Sequence, residues 1–209
     1  MRLYYKPGAC SLASHIVLEE IGLPFDLVKA NTETGTTESG EDFSRVSPNG
    51  YVPALKIQSG EIITENPAVL QYLADQSSVT GLAPANGTLQ RVRLQELLNF
   101  LSSELHKAFG PFFSGRDLSA DARLEAERNV GRRVRYIEQR LSNDNSFLLG
   151  EDFTVADAYA FVVLNWANVV GIDLSSWPRT QAYMERIRIR PAVVRAMTTE
   201  GLLPKEAAA

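Results

Sequence analysis

The chain predicts two domains in series, a small α/β domain followed by an all-helical one. Over roughly the first 75 residues, short strand-like and helix-like stretches alternate. Residues 76–88 then carry Ser, Gly, Pro84 and Asn86-Gly87, the composition of a connector. Beyond it, apolar residues recur with a period of about 3.6 and no convincing strand is found. At 209 residues the chain is long enough for two small domains, each with its own core. The expected division is an α/β domain over 1–78, a linker over 79–87 and a helical domain over 88–209.

Each element has a local reason. Arg2–Tyr5 reads as a strand. Ser11–Ile21 reads as a helix with Leu12 and Ile16 on its apolar face, Glu19 and Glu20 on the solvated face, and Gly22 as its stop. Phe25–Val28 alternates like a second strand, whereas Asn31–Gly40, rich in Thr, Glu, Gly and Ser, has no period and reads as a loop. Val52–Ile57 and Glu61–Ile63 flank Gln58-Ser59-Gly60 as a hairpin. Asn66–Asp75 follows as a helix with Pro67 in its first turn. Further helices are expected at Leu89–Phe109, Ala120–Leu141, Thr154–Val170, Trp177–Arg188 and Ala192–Glu200.

Composition narrows the function classes. Hydrophobic residues make up 44% and charged residues 22%, as in ordinary globular proteins. A net charge of −4 argues against nucleic acid or an anionic membrane as the main partner. The apolar start is too short for a signal peptide and runs into Lys6-Pro7-Gly8; the longest apolar stretch, 158–172, is too short to span a bilayer. One cysteine precludes an internal disulfide and fits a reducing cytoplasm. With only His15 and His106 there is no multi-His metal site. The expectation is a cytoplasmic, metal-free protein.

The one cysteine, Cys10, falls between the first strand and the first helix, after the bend-forming Pro7 and Gly8. Unpaired N–H groups and the positive end of the dipole at a helix start favour a thiolate. Most lone cysteines are buried spacers, but the junction tips the reading toward a reactive site.

Three constellations accompany it. Val52-Pro53 opens a strand; a cis bond there would turn the Val52 backbone toward an extended peptide, while an ordinary trans proline is the commoner case. Thr64-Glu65-Asn66-Pro67 opens a helix, where N–H groups can hold a carboxylate and Glu65 an ammonium, with Asn66 also reading as an N-cap. On the helix 89–109, Asn99, Ser103 and His106 recur at i, i+4 and i+7 with Lys107 beside them, a short polar stripe that suits a cleft. Histidine there is expected to titrate near neutrality. Separately, Thr154 and Asp157 form a capping box at the start of the most apolar helix, a structural rather than catalytic motif.

Together these segments resemble the bacterial beta class of glutathione transferases. KPGACSLASH at 6–15, SPNGYVPAL at 47–55, TENPAVLQYLAD at 64–75, LNFLSSELHKAFGPFF at 98–113 and GEDFTVADAYAF at 150–161 match that family's landmarks in order and spacing, so the resemblance covers essentially the whole chain. It implies a thioredoxin-like N-terminal domain, a helical C-terminal domain (the glutathione transferase fold), a homodimer, and glutathione as co-substrate without a metal.

By position, the resemblance implies that Cys10 lies next to the glutathione sulfur. Val52, before a cis Pro53, would pair with the cysteinyl backbone, and Glu65 and Asn66 would hold the γ-glutamyl end. Asn99, Ser103, Glu104, His106 and Lys107 match the helix that completes the site, some of them reaching the partner subunit's glutathione. Tyr5 matches a tyrosine of the strand that in other classes activates the thiol from a nearby position, so Cys10, His106 and Tyr5 are the catalytic candidates. Phe109, Phe112, Phe113 and Trp166 are the expected wall for a small hydrophobic electrophile.

Two positions depart from the pattern. Gly35 stands where relatives commonly carry a lysine for the glycine carboxylate, and Asn66 where Ser or Gly is usual. The competing functions are a glutaredoxin-like monothiol oxidoreductase and a non-enzymatic glutathione- or ligand-binding protein.

Overall fold

A computed structural model describes residues 1–77, 81–141 and 145–204. The chain forms two compact units, one of Met1–Ala83 together with Ile189–Ala209 and one of Pro84–Arg188. Part of the expected linker, residues 78–80, lies outside the described residues.

The first unit is built on a five-stranded sheet of order β3-β2-β1-β4-β5. Its strands are β1 (Arg2–Tyr5), β2 (Asp26–Asn31), β3 (Thr36–Thr37), β4 (Ala54–Lys56) and β5 (Ile62–Thr64). The pair β1–β2 is parallel and the other three pairs are antiparallel. Successive side chains on a strand take opposite faces. Tyr4 accordingly packs with Ala30, Phe43, Val46 and Ala54, while the ring of Tyr5 lies 6.2 Å from that of His15 in helix α1 (Ser11–Ile21). The expected loop at 31–40 contains β3, a two-residue edge that period cannot reveal. Strand β4 begins only after Pro53, which has no N–H to donate to a ladder.

Helix α1 does not show the expected solvated face. Ser11, Ser14 and His15 are buried with Leu12 and Ile16. The reason is at the other end of the chain: α8 (Pro191–Thr199), which the sequence puts in the helical stretch 88–209, packs on α1. Even Glu19 and Glu20 receive Arg195 and Arg190 of that segment, at 2.6 and 2.8 Å. Helix α2 (Asn66–Gln76) packs on α1 as well.

The second unit is helical. It contains α3 (Leu89–Phe100), a π-helical turn at Leu101–Leu105, α4 (His106–Ala108), a 3-10 turn at Gly110–Phe113, α5 (Ala120–Arg140), α6 (Val155–Val170) and α7 (Pro178–Arg188). Helix α6 is its core, buried from Val155 to Leu164. The Asp157 carboxylate accepts from Thr154 N–H at 2.8 Å, Leu148 N–H at 2.9 Å and the Tyr183 hydroxyl at 3.0 Å. Burial nonetheless raises the Asp157 pKa, against the downward pull of those bonds, and holds the Tyr183 phenol well above its ordinary value. Among the described residues no helix is long and apolar enough to cross a membrane.

Candidate active site

In the first unit the candidate site is the loop from Lys6 to Cys10 and what touches it. Ala9 N–H donates to Lys6 O at 3.0 Å, and Ser11 Oγ accepts from Lys6 N–H at 3.2 Å. Gly8 takes a φ of 70°, a conformation that costs glycine little. These bonds deliver Cys10, half-buried, to the head of α1 in helical geometry. Its Sγ donates to the Val52 carbonyl at 3.2 Å, and the Val52–Pro53 bond is cis. The cis bond expected from the resemblance is the one found.

Asn66 has a different job from the one its sequence suggests. The cap position of α2 belongs to Glu65, whose φ is 67° and whose carbonyl accepts from Ala68 and Val69 N–H at 2.9 and 3.0 Å. Positive φ is uncommon outside glycine, and such outliers concentrate at ligand sites. Asn66, buried, turns inward: Nδ2 donates to Cys10 O at 3.0 Å and Oδ1 accepts from Ser14 Oγ at 2.8 Å. Its amide thus ties the Cys10 peptide to both α1 and α2, and the expected N-cap role is not its role. Glu65 itself is exposed.

Tyr5 is half-buried, and its phenol pKa is raised first by burial and then by the charges of Glu200 and Glu38. Its hydroxyl therefore stays protonated, the form that can donate to a thiolate. Gly35 has a φ of 68°; its N–H donates to Asn31 O at 2.9 Å and its carbonyl accepts from Phe43 N–H at 2.8 Å. The turn itself thus favours glycine at this position.

In the second unit the expected polar stripe is broken. Asn99 and Ser103 are exposed, and Ser103 Oγ donates to Asn99 O at 2.9 Å. His106 turns inward: Nδ1 is 2.8 Å from Tyr159 Oη, and the ring stands edge-on to Trp166 at 4.8 Å. The π-helical turn between them is the cause. Its wider turn shifts the register, so residues at α-helical spacing no longer share a face. Burial, and secondarily the charge of Lys107, push the His106 pKa from 6.5 down to about 4. The expectation of titration near neutrality is overturned: His106 is a neutral imidazole at pH 7. Lys107 is exposed, and Glu104, also exposed, pairs with Arg133 at 3.0 Å.

The four aromatic residues expected as a wall do meet, with uneven exposure. Trp166 is in edge contact with Phe109 at 5.9 Å and Phe113 at 5.4 Å, and Phe112 adjoins Phe109 at 6.4 Å. Phe109 is wholly buried and backs the wall, whereas Phe113 is 51% exposed and forms its open edge. Tyr159 escaped sequence reasoning; a hydroxyl in so apolar a helix needs a buried partner, and that was the available signal. Ser14 and Glu200, buried polar partners in the first unit, left no comparable periodic signal.

A thioredoxin-like sheet presenting a half-buried cysteine to the residue before a cis proline, in a chain with an all-helical second unit, defines the class of protein. The family Glutathione S-transferase, N-terminal domain matches residues 8–76, and Glutathione S-transferase, C-terminal domain matches residues 100–191. Glutathione S-transferase GstA of Escherichia coli O157:H7 is 39% identical over 202 residues, covering 97% of this chain and 100% of the relative. The solved bacterial beta class glutathione S-transferase of Sphingomonas chungbukensis is 48% identical, covering 97% of this chain and 100% of that one, with a TM-score of 0.92. A sphingomonad glutathione S-transferase complexed with glutathione is 46% identical over 97% of this chain and 100% of that one, with a TM-score of 0.91. The chain belongs to the glutathione S-transferase family, in its bacterial beta class.

Proposed function

We propose that this transferase conjugates the thiolate of glutathione to small hydrophobic electrophiles. The observation that carries the reading is the Cys10 Sγ to Val52 carbonyl contact of 3.2 Å beside the cis Val52–Pro53 bond. That backbone is a ready partner for an extended peptide. Glutathione's cysteinyl unit pairs with Val52, its γ-glutamyl ammonium meets the exposed Glu65 carboxylate, and its α-carboxylate meets the N–H groups at the start of α2. Tyr5, kept protonated, is the hydrogen-bond donor proposed for a thiolate. The thiolate then attacks the electrophile: with an aryl chloride a C–S bond forms and chloride leaves.

In the helical unit, Trp166, Phe112 and Phe113 offer the apolar wall, with Phe109 behind it. The exposed Asn99, Ser103, Glu104 and Lys107 are read as facing a second copy of the chain in a homodimer. Light scattering that gave a fully active monomer at micromolar concentration would sink the dimer. A cytoplasmic setting is favoured by the single free thiol.

A second reading is favoured by the half-exposure of Cys10 at a helix head. Its thiolate attacks a glutathione mixed disulfide, forming Cys10–S–S–glutathione and expelling the other thiolate. A second glutathione thiolate then releases glutathione disulfide and regenerates Cys10. One pair of assays tests both readings: purified protein with glutathione and a chloronitrobenzene acceptor, and with a glutathione mixed disulfide. Rates above the uncatalysed reactions are expected. Neither rate rising would leave a binding protein and overturn the proposal.

A further inference from the structure

The buried pair His15 and Glu200 bears on the chemistry above only through the Glu200 charge, which helps to raise the Tyr5 pKa. Glu200 follows α8, and its side chain, like that of His15, is wholly removed from solvent. A buried carboxylate is tolerated only when its oxygens find donors. One oxygen, Oε1, lies 2.9 Å from His15 Nδ1, and the other, Oε2, accepts from the backbone N–H of Gly8 at 2.9 Å. Because a carboxylate only accepts, Nδ1 carries the proton. The second ring nitrogen, Nε2, is buried without a hydrogen-bond partner and sits 3.9 Å from the nearest Glu19 oxygen.

Gly8 lies two residues before Cys10. The loop it belongs to is held from α1 by Ser11 and from α2 by Asn66, and Glu200 holds it from a point 192 residues away in sequence. Elsewhere α8 touches α1 through Arg195, which donates to the Glu19 carboxylate at 2.6 Å and to Glu19 O at 3.2 Å, on the solvent side. Arg190 donates to Glu20 at 2.8 Å as well, so the segment is tied to α1 through Arg190, Arg195 and Glu200, and of these Glu200 reaches the cysteine loop.

We propose that Glu200 is a positioning residue for Cys10: with His15 it clamps Gly8 and so fixes where the Cys10 thiol meets the Val52 carbonyl. The inference rests on the glutathione reading of that site. It makes the C-terminal segment a working part of thiol presentation, acting through Gly8 and not by touching substrate.

Since the chain has one cysteine, thiol alkylation reports Cys10 alone. Glu200→Ala is expected to raise KM for glutathione about fivefold or more while KM for the electrophile stays within about twofold. Alkylation of Cys10 by iodoacetamide, in the absence of glutathione, is expected to quicken by about threefold or more as the loop loosens. Arg195→Ala, which removes a tie to α1 that does not reach the loop, should change neither quantity. If Glu200→Ala does not fold, Glu200→Gln is the variant to measure. Glutamine offers one acceptor oxygen to two donors, and moving the His15 proton to Nε2 finds it no partner; the same shifts are then expected at smaller size. Unchanged glutathione KM and alkylation in the Glu200 variants overturns the proposal. So does an equal effect from Arg195→Ala, which would make Glu200 a helix-docking residue only. Absence of conjugation by the parent protein would instead count against the functional reading, leaving the alkylation comparison to decide this one.

Discussion

His106 and Tyr159 share a 2.8 Å hydrogen bond, and that bond sits in an aromatic corner completed by Trp166. The imidazole is therefore a fixed, uncharged hydrogen-bonding group at pH 7, not a switch. Two predictions follow from the pair.

The first concerns stability against pH. The folded pKa of His106 is about 4 against an ordinary 6.5, so between those values the unfolded chain binds more protons than the folded one. Stability is then full above about pH 6.5 and declines as the pH falls toward 4, by on the order of 3 kcal/mol from this group. Urea midpoints measured from pH 7 to 4 should fall more steeply in the parent than in His106→Gln. Equal slopes would show that His106 is hydrated and titrates normally.

Tyr159→Phe tests the other partner. It leaves His106 Nδ1 without its hydroxyl in a largely buried setting, an expected cost of about 1–3 kcal/mol. Urea denaturation checks this. A neutral result would mean that water fills the place of the hydroxyl.

The parts of the site that could be read from sequence are those set by local backbone chemistry. Pro7, Gly8 and Ser11 around Cys10 mark a loop-to-helix junction, and the structure places the thiol there. Thr154 and Asp157 mark a helix start for the same local reason. What escaped depends on packing across the chain. Glu19 and Glu20 read as solvated until α8 supplies Arg195 and the residue before that helix, Arg190, joins it. His106 reads as one of a polar stripe because a period near 3.6 runs straight through the π-helical turn that redirects it. Asn66 reads as a cap because it precedes Pro67, yet buried donors and acceptors on α1 claim its amide.

Gly35 carries a prediction with two opposed parts. Its φ of 68° makes any β-carbon costly, although no atom lies within 4 Å of where that carbon would be. Gly35→Ala should lose about 1 kcal/mol from conformation alone, and Gly35→Asn less, since asparagine tolerates this region. Gly35→Lys should share the stability loss yet tighten glutathione binding by calorimetry, because it supplies a charge-assisted bond of roughly 1.5–3 kcal/mol. If Gly35→Lys is destabilised with no gain in affinity, the turn does not approach the tripeptide's carboxylate.

Cys10 divides the two proposed chemistries. Conjugation needs only that the glutathione thiolate be held, and Val52, Glu65 and the α2 start remain when Sγ is removed. Disulfide exchange needs a protein sulfur to form the mixed disulfide, and the chain has no other. Cys10→Ala should therefore abolish exchange with a glutathione mixed disulfide, to below about a hundredth of the parent rate, while conjugation to a chloronitrobenzene falls by about tenfold or less. Cys10→Ser keeps a hydroxyl that can donate to the Val52 carbonyl as the thiol does at 3.2 Å. It should recover part of the conjugation loss and none of the exchange. Undiminished exchange in Cys10→Ala would reduce the thiol to a packing group, and the contact with Val52 to a detail of the loop.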